Sequence, residues 1–265
     1  MGATFISKRT HRWSVGTYFF TAGITFASWA SRIPDIKVKL QLNDAELGGI
    51  LFALPAGSMV SLPISGWLVA KLGSRTVMLI AALIYPLLLL LLGNASTTVV
   101  LTTLLFCFGL IGNMMNISVN TQAVAVEELY GRSIMASFHG IWSMAGFTGA
   151  AVGTLMISLG FDPLNHFLII AAGMVLLALI MKFGRMPKDA VVGNQPLFVK
   201  PDTILLKLGL ISFCCMAAEG TMFDWSGIYF QKIVEAPPGL VTLGYAAFMG
   251  TMALGRFLGD GLVLR

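Results

Sequence analysis

Glu219 is the residue in this chain best placed to do chemistry. Its carboxyl group sits in the apolar run LISFCCMAAEGTMFDW (210–225), where an ionised side chain costs about 2.5–3.5 kcal/mol if the run lies in a bilayer. An acid kept at that cost either exchanges a proton at an internal cavity or serves as a hydrogen-bonded structural group; both readings stand at this level. Asp224, nearer the end of the same run, is a second candidate for proton exchange, or else a solvated residue at the membrane boundary. Asn113, Asn116 and Asn120 follow one another at offsets of three and seven in another apolar run, which puts them on one face of a helix. Such a face can bind the hydroxyls of a polar solute through paired donors and acceptors. Intramembrane Asn also ties helices together, for about 0.6 kcal/mol on average, but one tie explains one Asn better than three.

His139 and Trp142 lie one turn apart. They pair an imidazole that titrates near neutral pH with an aromatic face on which a sugar ring can stack. The alternatives are a packing histidine bonded to Asn120 or Glu127 and an interfacial tryptophan. Trp29 and Trp225 either face each other across a cavity or anchor the chain at the interfaces. His11, His139 and His166 have no ligand spacing, and neither a phosphate-cradling glycine loop nor an acyl-hydrolase elbow occurs. The expectation is therefore no metal, no cofactor and no enzymatic reaction.

These residues need long apolar helices to hold them. The chain is 57% hydrophobic and 11% charged, against about 25% charged in soluble domains, and its mean hydropathy is +0.85. That is more apolar surface than one aqueous core can hide, so the class is an all-α polytopic membrane protein. The net charge of +5 belongs to loops beside spans and is no nucleic-acid footprint. A span needs about 20 apolar residues and must satisfy its own backbone, hence helices. Eight such runs are expected, over 14–34, 46–68, 76–93, 98–122, 134–159, 165–183, 204–228 and 239–259. With the N-terminus inside, the Lys and Arg residues divide thirteen to four. Arg32, Lys37, Lys39 and Lys232 fall outside, and Arg256 counts among the inner-side bases. The positive-inside bias places the N-terminus in the cytoplasm and the chain, multi-pass, in the inner (plasma) membrane.

The chain repeats itself. AGITFASW (Ala22–Trp29) aligns with AEGTMFDW (Ala218–Trp225), with Ala22/Ala218, Thr25/Thr221 and Trp29/Trp225 in register. LFALPAGSM (Leu51–Met59) aligns with GYAAFMGTM (Gly244–Met252). A repeat this long in an apolar chain reads as a duplicated membrane bundle, with chance similarity among Gly- and Ala-rich helices as the alternative. The proline-rich, basic stretch before the second copy serves as a linker. The expected organisation is a six-helix bundle over 1–183, a cytoplasmic linker over 184–203, and two helices of a second bundle over 204–265.

Gly66-Trp-Leu-Val-Ala-Lys71-Leu-Gly73-Ser-Arg75 resembles the signature loop of the major facilitator superfamily, G-x-L-x-D-R-x-G-R-R/K. Gly66, Leu68, Lys71, Gly73 and Arg75 match; Ala70 stands where the family has an acid and Ser74 where an Arg is usual. Gly66 is expected to permit close helix approach, Gly73 to make the turn, and Lys71 and Arg75 to stay in the cytosol. Within that superfamily, Ala125–Gly140 and Glu219–Ser226 resemble the fucose-permease-like branch of sugar and metabolite transporters. The resemblance implies two six-helix bundles, so this chain would carry the N-terminal bundle plus the first two helices of the next and be C-terminally truncated. It implies secondary transport of a small polar solute such as a sugar or metabolite, either active and coupled to protons or facilitative. Glu219 and Asp224 are then the coupling candidates, and Asn113, Asn116, Asn120, His139, Trp142, Trp29 and Trp225 the binding candidates. Two rivals remain: a non-transporting remnant or partner membrane protein, and a drug efflux transporter. The partners expected are the solute, protons and the lipid bilayer, with no nucleic acid; direction and oligomeric state stay open.

Overall fold

The computed structural model describes residues 7–181 and 201–263. Among them run α1 (Lys8–Ser31), α2 (Ile33–Lys39), α3 (Asp44–Leu51), α4 (Ala53–Leu72), α5 (Ser74–Gly93), α6 (Thr98–Tyr130), α7 (Met135–Ser158), α8 (Pro163–Met181), α9 (Thr203–Lys232), a 3-10 turn at Pro238–Leu240, and α10 (Leu243–Val263). The protein is an all-α, multi-pass membrane fold. The expected linker at 184–203 lies almost wholly outside the described residues.

Among the described residues, seven helical stretches are long and apolar enough to cross a membrane, α3 and α4 counting together. Eight were expected, and α1 is the one that falls short. Its interior is rich in hydroxyls because it runs through the middle of the bundle, packed on α5, α6, α7 and α8, with Ser14, Thr21, Thr25, Ser28 and Ser31 all buried. A hydroxyl can be buried there because it finds an acceptor within its own helix. Thr21 Oγ1 donates to the Thr17 carbonyl at 3.0 Å, Thr25 to Thr21 at 2.7 Å and Ser28 to Ile24 at 2.8 Å. A helix walled by protein has no need of the hydropathy that lipid demands.

Small residues set the other seams, as in membrane bundles generally. α4 and α6 cross at Gly57 and Gly109. A Cβ on Gly109 would overlap the Leu54 carbonyl, 2.8 Å from its carbon, and one on Gly57 would overlap the Phe106 carbonyl, 2.9 Å from its carbon. Gly66 does not share this role. A Cβ there meets nothing within 4 Å, so the expected close approach at the signature loop falls instead at Gly57. Gly73 does make the turn, capping α4 and opening α5 with φ 81° and ψ 147°, a region that L side chains avoid. Beside it, Lys71 lies over the Trp67 ring at 4.8 Å, and the buried Ser74 accepts a hydrogen bond from Gln122 of α6 at 2.6 Å.

Helix ends follow local chemistry more than hydropathy. The expected break at Pro34 is instead the first turn of α2, a position where proline lacks no bond it needs. Asn43 and Glu46 form a reciprocal capping box for α3. α6 runs on to Tyr130, past the apolar stretch, and stops at Gly131 with φ 64°. There the Glu127 carboxylate accepts the backbone N–H groups of Ile134 and Met135, both at 2.8 Å, and so caps the start of α7.

Three of the basic residues expected on the outer side meet one end of the bundle. Arg32, 2% exposed, pairs with Asp35 at 2.7 Å and donates to His166 Nδ1 at 3.1 Å and the Phe161 carbonyl at 2.9 Å. Lys37 and Lys232 converge on Asp44, the latter at 2.9 Å. That contact ties the end of α9 to the start of α3. α10 packs chiefly on α7 and less on α9, and Thr154 of α7 hydrogen-bonds Thr242 just before α10.

Candidate functional site

A cavity of about 330 Å³ opens where α1, α4, α5, α6 and α7 meet α9 and α10. Six of its eighteen lining residues are Phe, Tyr or Trp. Phe26, Trp142 and Phe223 meet within 5.3–6.1 Å of one another, edge-on or tilted, and Tyr85 stacks on Phe108 at 4.4 Å. Among apolar side chains each polar group counts for more than it would in solvent.

Five of the residues singled out from the sequence line this one cavity: Asn113, Asn116, His139, Trp142 and Glu219. Asn113 donates from Nδ2 to the Ser58 carbonyl at 3.0 Å, which orients its side chain between α6 and α4. Asn116 is exposed to the cavity side of α6. Asn120 is not part of the lining. Its Nδ2 donates to the Asn116 carbonyl and Oδ1, each at 2.8 Å, so it positions Asn116 from one turn below. A shared helical face does not guarantee a shared cavity, because the cavity is shorter than the three-residue stripe.

His139 lies edge-on to Phe19 with centroids 5.4 Å apart. Neither proposed structural partner reaches it: Glu127 caps α7, and Asn120 is bound to Asn116. Trp29 and Trp225 do not face each other across the cavity. Trp29 is buried against Phe108, centroids 6.5 Å apart, whereas the Trp225 ring lies beside Gly48 of α3. The repeat places them at equivalent helix positions, but the two helices have different neighbours. Asp224 also stays outside the lining, since a helix turns adjacent residues away from the face that carries Phe223.

Arg256 is a lining residue that the sequence did not single out as a site residue. Counted as an inner-side base, it projects from α10 into the cavity. Nη1 donates to Ser143 Oγ at 2.7 Å and to the His139 carbonyl at 3.5 Å, and Nη2 stands 3.5 Å from Glu219 Oε1. The guanidinium carbon lies 5.7 Å from the centre of the Trp142 ring, a cation–π contact. The available signal was its place in α10: Met252 and Met249, one and two turns earlier, are half-buried and buried, so this face of the helix points inward.

The arrangement can hold a small solute between a polar floor from α6 and a charged pair from α9 and α10. It brings a carboxyl group, a guanidinium, an imidazole and two amides together among aromatic side chains.

Comparison with known proteins fits this geometry. The profile of the Major Facilitator Superfamily matches residues 14–265. The chain is 35% identical over 245 residues to an uncharacterized MFS-type transporter of Yersinia pestis, covering 92% of this chain and 64% of the relative. It is 30% identical over 254 residues to the membrane protein MosC of Rhizobium meliloti, covering 93% and 60%. It thus spans less than two thirds of the length of these relatives. In fold it is similar to the nucleoside transporter NupG, with a TM-score of 0.64 at 16% identity over 96% of this chain and 66% of that one. A bacterial homologue of the lysosomal transporter Spinster gives 0.62 at 16% identity, over 97% and 63%. With the signature loop, the packing and the family match in agreement, this chain belongs to the major facilitator superfamily.

Proposed function

We propose that the chain provides the solute site of a secondary transporter that moves a small polar solute, such as a sugar or metabolite, with protons across the inner membrane. α1–α8 form one bundle in this reading and α9–α10 begin a second, with the solute held between them near the membrane midplane, as in transporters built from parallel repeats. The observation that carries it is the single cavity whose polar groups come from both parts: Asn113, Asn116 and His139 from the first, Glu219 and Arg256 from the second. Asn113 and Asn116 bind solute hydroxyls, Trp142 offers a stacking face, and Glu219 takes and returns the proton. The likeness of Ala125–Gly140 and Glu219–Ser226 to sugar and metabolite transporters points the same way.

The test is uptake into proteoliposomes under an inside-alkaline pH gradient, with a panel of sugars and small hydroxylated metabolites. Glu219→Gln is expected to abolish gradient-driven accumulation while leaving solute exchange. Unchanged gradient-driven uptake in that variant would remove Glu219 from the mechanism. A second reading, a membrane protein that works with a partner and does not transport alone, draws on the first half of α9, whose apolar residues from Ile204 to Met216 are exposed. Gradient-driven uptake by the purified chain alone would dismiss it.

A further inference from the structure

We propose that Arg256 anchors a carboxylate of the solute, so that the cavity takes a small organic acid and not a neutral sugar. This inference rests on the cavity reading above and names the class of its solute.

Arg256 is the one permanent cation among the described residues that line the cavity. A cation in an aromatic shell needs an anionic partner close by, and the one present is poorly placed. Charge-assisted N–H···O contacts close to about 2.7–2.9 Å, and the Nη1 bond to Ser143 does so at 2.7 Å, yet Nη2 and Glu219 Oε1 stand 3.5 Å apart. Nη1 and the Trp142 ring therefore fix the guanidinium plane, while Nη2 keeps its reach toward the cavity. Both side chains are 23% exposed, so a solute can arrive at the pair. A planar carboxylate matches that fork, and Asn113 and Asn116 on the opposite wall suit hydroxyls on the same molecule.

Charge balance then supplies the coupling. The ionisable groups lining the cavity are Tyr85 from α5, His139 from α7, Glu219 from α9 and Arg256 from α10, with none from α1, α4 or α6. An acid entering beside an ionised Glu219 puts two negative charges on one guanidinium. Transfer of one proton from bulk water to Glu219 removes the excess and releases Arg256 to the solute. A neutral sugar makes no such demand, because it leaves the Arg256–Glu219 pair in place.

The experiment uses the purified 265-residue chain in detergent. It titrates ligand-induced thermal stabilisation with galacturonate and phenylacetate, each beside its neutral counterpart, galactose and phenylacetamide, at pH 5.5 and 7.5. The expected result is binding of at least one acid at least tenfold tighter than its counterpart, and tighter at the lower pH. Arg256→Gln should remove the preference, a loss of about tenfold or more. Arg256→Lys should keep part of it, and Glu219→Gln should make acid binding strong and independent of pH. Acid binding that survives Arg256→Gln overturns the proposal. Binding of galactose without galacturonate overturns it too, while leaving a sugar transporter in place. Stabilisation by none of the four probes counts against the acid site and the solute cavity together.

Discussion

Replacing Gly109 with alanine tests the packing on which the cavity depends. Its added Cβ would lie 2.8 Å from the Leu54 carbonyl carbon and closer still to the oxygen, whereas ordinary contact begins at 3.4 Å. The obstacle is backbone, which cannot swing aside, and the nearer oxygen makes α4 and α6 separate by more than the roughly 0.6 Å that the carbon alone would require. Overpacking of this kind costs about 1–3 kcal/mol, offset by under about 1 kcal/mol from alanine's better helix propensity. Gly57→Ala meets the Phe106 carbonyl in the same way and should cost a similar amount. Because both push the same two helices apart, the double variant should lose less than the sum. Gly66→Ala is the control: it sits on the same helix, in the family's signature stretch, yet nothing lies within 4 Å. It should be neutral or slightly stabilising. Thermal unfolding of the detergent-solubilised protein reads all four, with an expected drop on the order of 5 °C for each tight site. Equal shifts for Gly66→Ala and Gly109→Ala, or strictly additive losses, would refute the argument.

Gly73→Ala should destabilise by about 1–3 kcal/mol, because φ 81° and ψ 147° there suit only glycine; the melting temperature checks it, with Gly66→Ala again as reference. Glu127→Ala removes the one carboxylate oxygen that accepts both N–H groups at the start of α7 and should cost about 0.5–2 kcal/mol, whereas Glu127→Gln, which keeps an acceptor oxygen, should recover part of the loss. At the far end of the bundle, Lys232→Ala removes an exposed partner of Asp44, while Asp44→Asn also strands the buried Lys37. The second should therefore lower the melting temperature more than the first, and 1 M NaCl should erase the Lys232 effect; the reverse order would show that Lys37 finds its charge partner elsewhere.

Much of the site was legible because intramembrane polar groups are rare and costly. Glu219, Asn113, Asn116 and His139 stood out for that reason, and one cavity collects them. Arg256 escaped because a base near the end of an apolar run reads as a loop residue by the positive-inside pattern, which counts charges and does not see which face of the helix they occupy. Asn120 and Trp225 were overread for the opposite reason: helical periodicity and the internal repeat assign positions along a helix, but not the neighbours that turn a position into a cavity wall. α1 shows the same limit for the spans, since hydropathy measures fitness for lipid and α1 is walled by protein.

What the sequence determined by itself was the environment: an all-α membrane chain, its runs of helix, the turn at Gly73 and the acid in α9. These follow from local properties, namely apolar length, the missing side chain of glycine and the solvation cost of a charge, each carried by a residue and its near neighbours. The tertiary structure alone decided that Gly57 and Gly109, not Gly66, bring helices together, and that Arg256 meets Glu219 and Trp142 within one aromatic shell. Those contacts join α4 to α6, and α10 to α7 and α9, across long separations in the chain. Their existence depends on how whole helices rotate and cross, which is set by the packing of every seam at once.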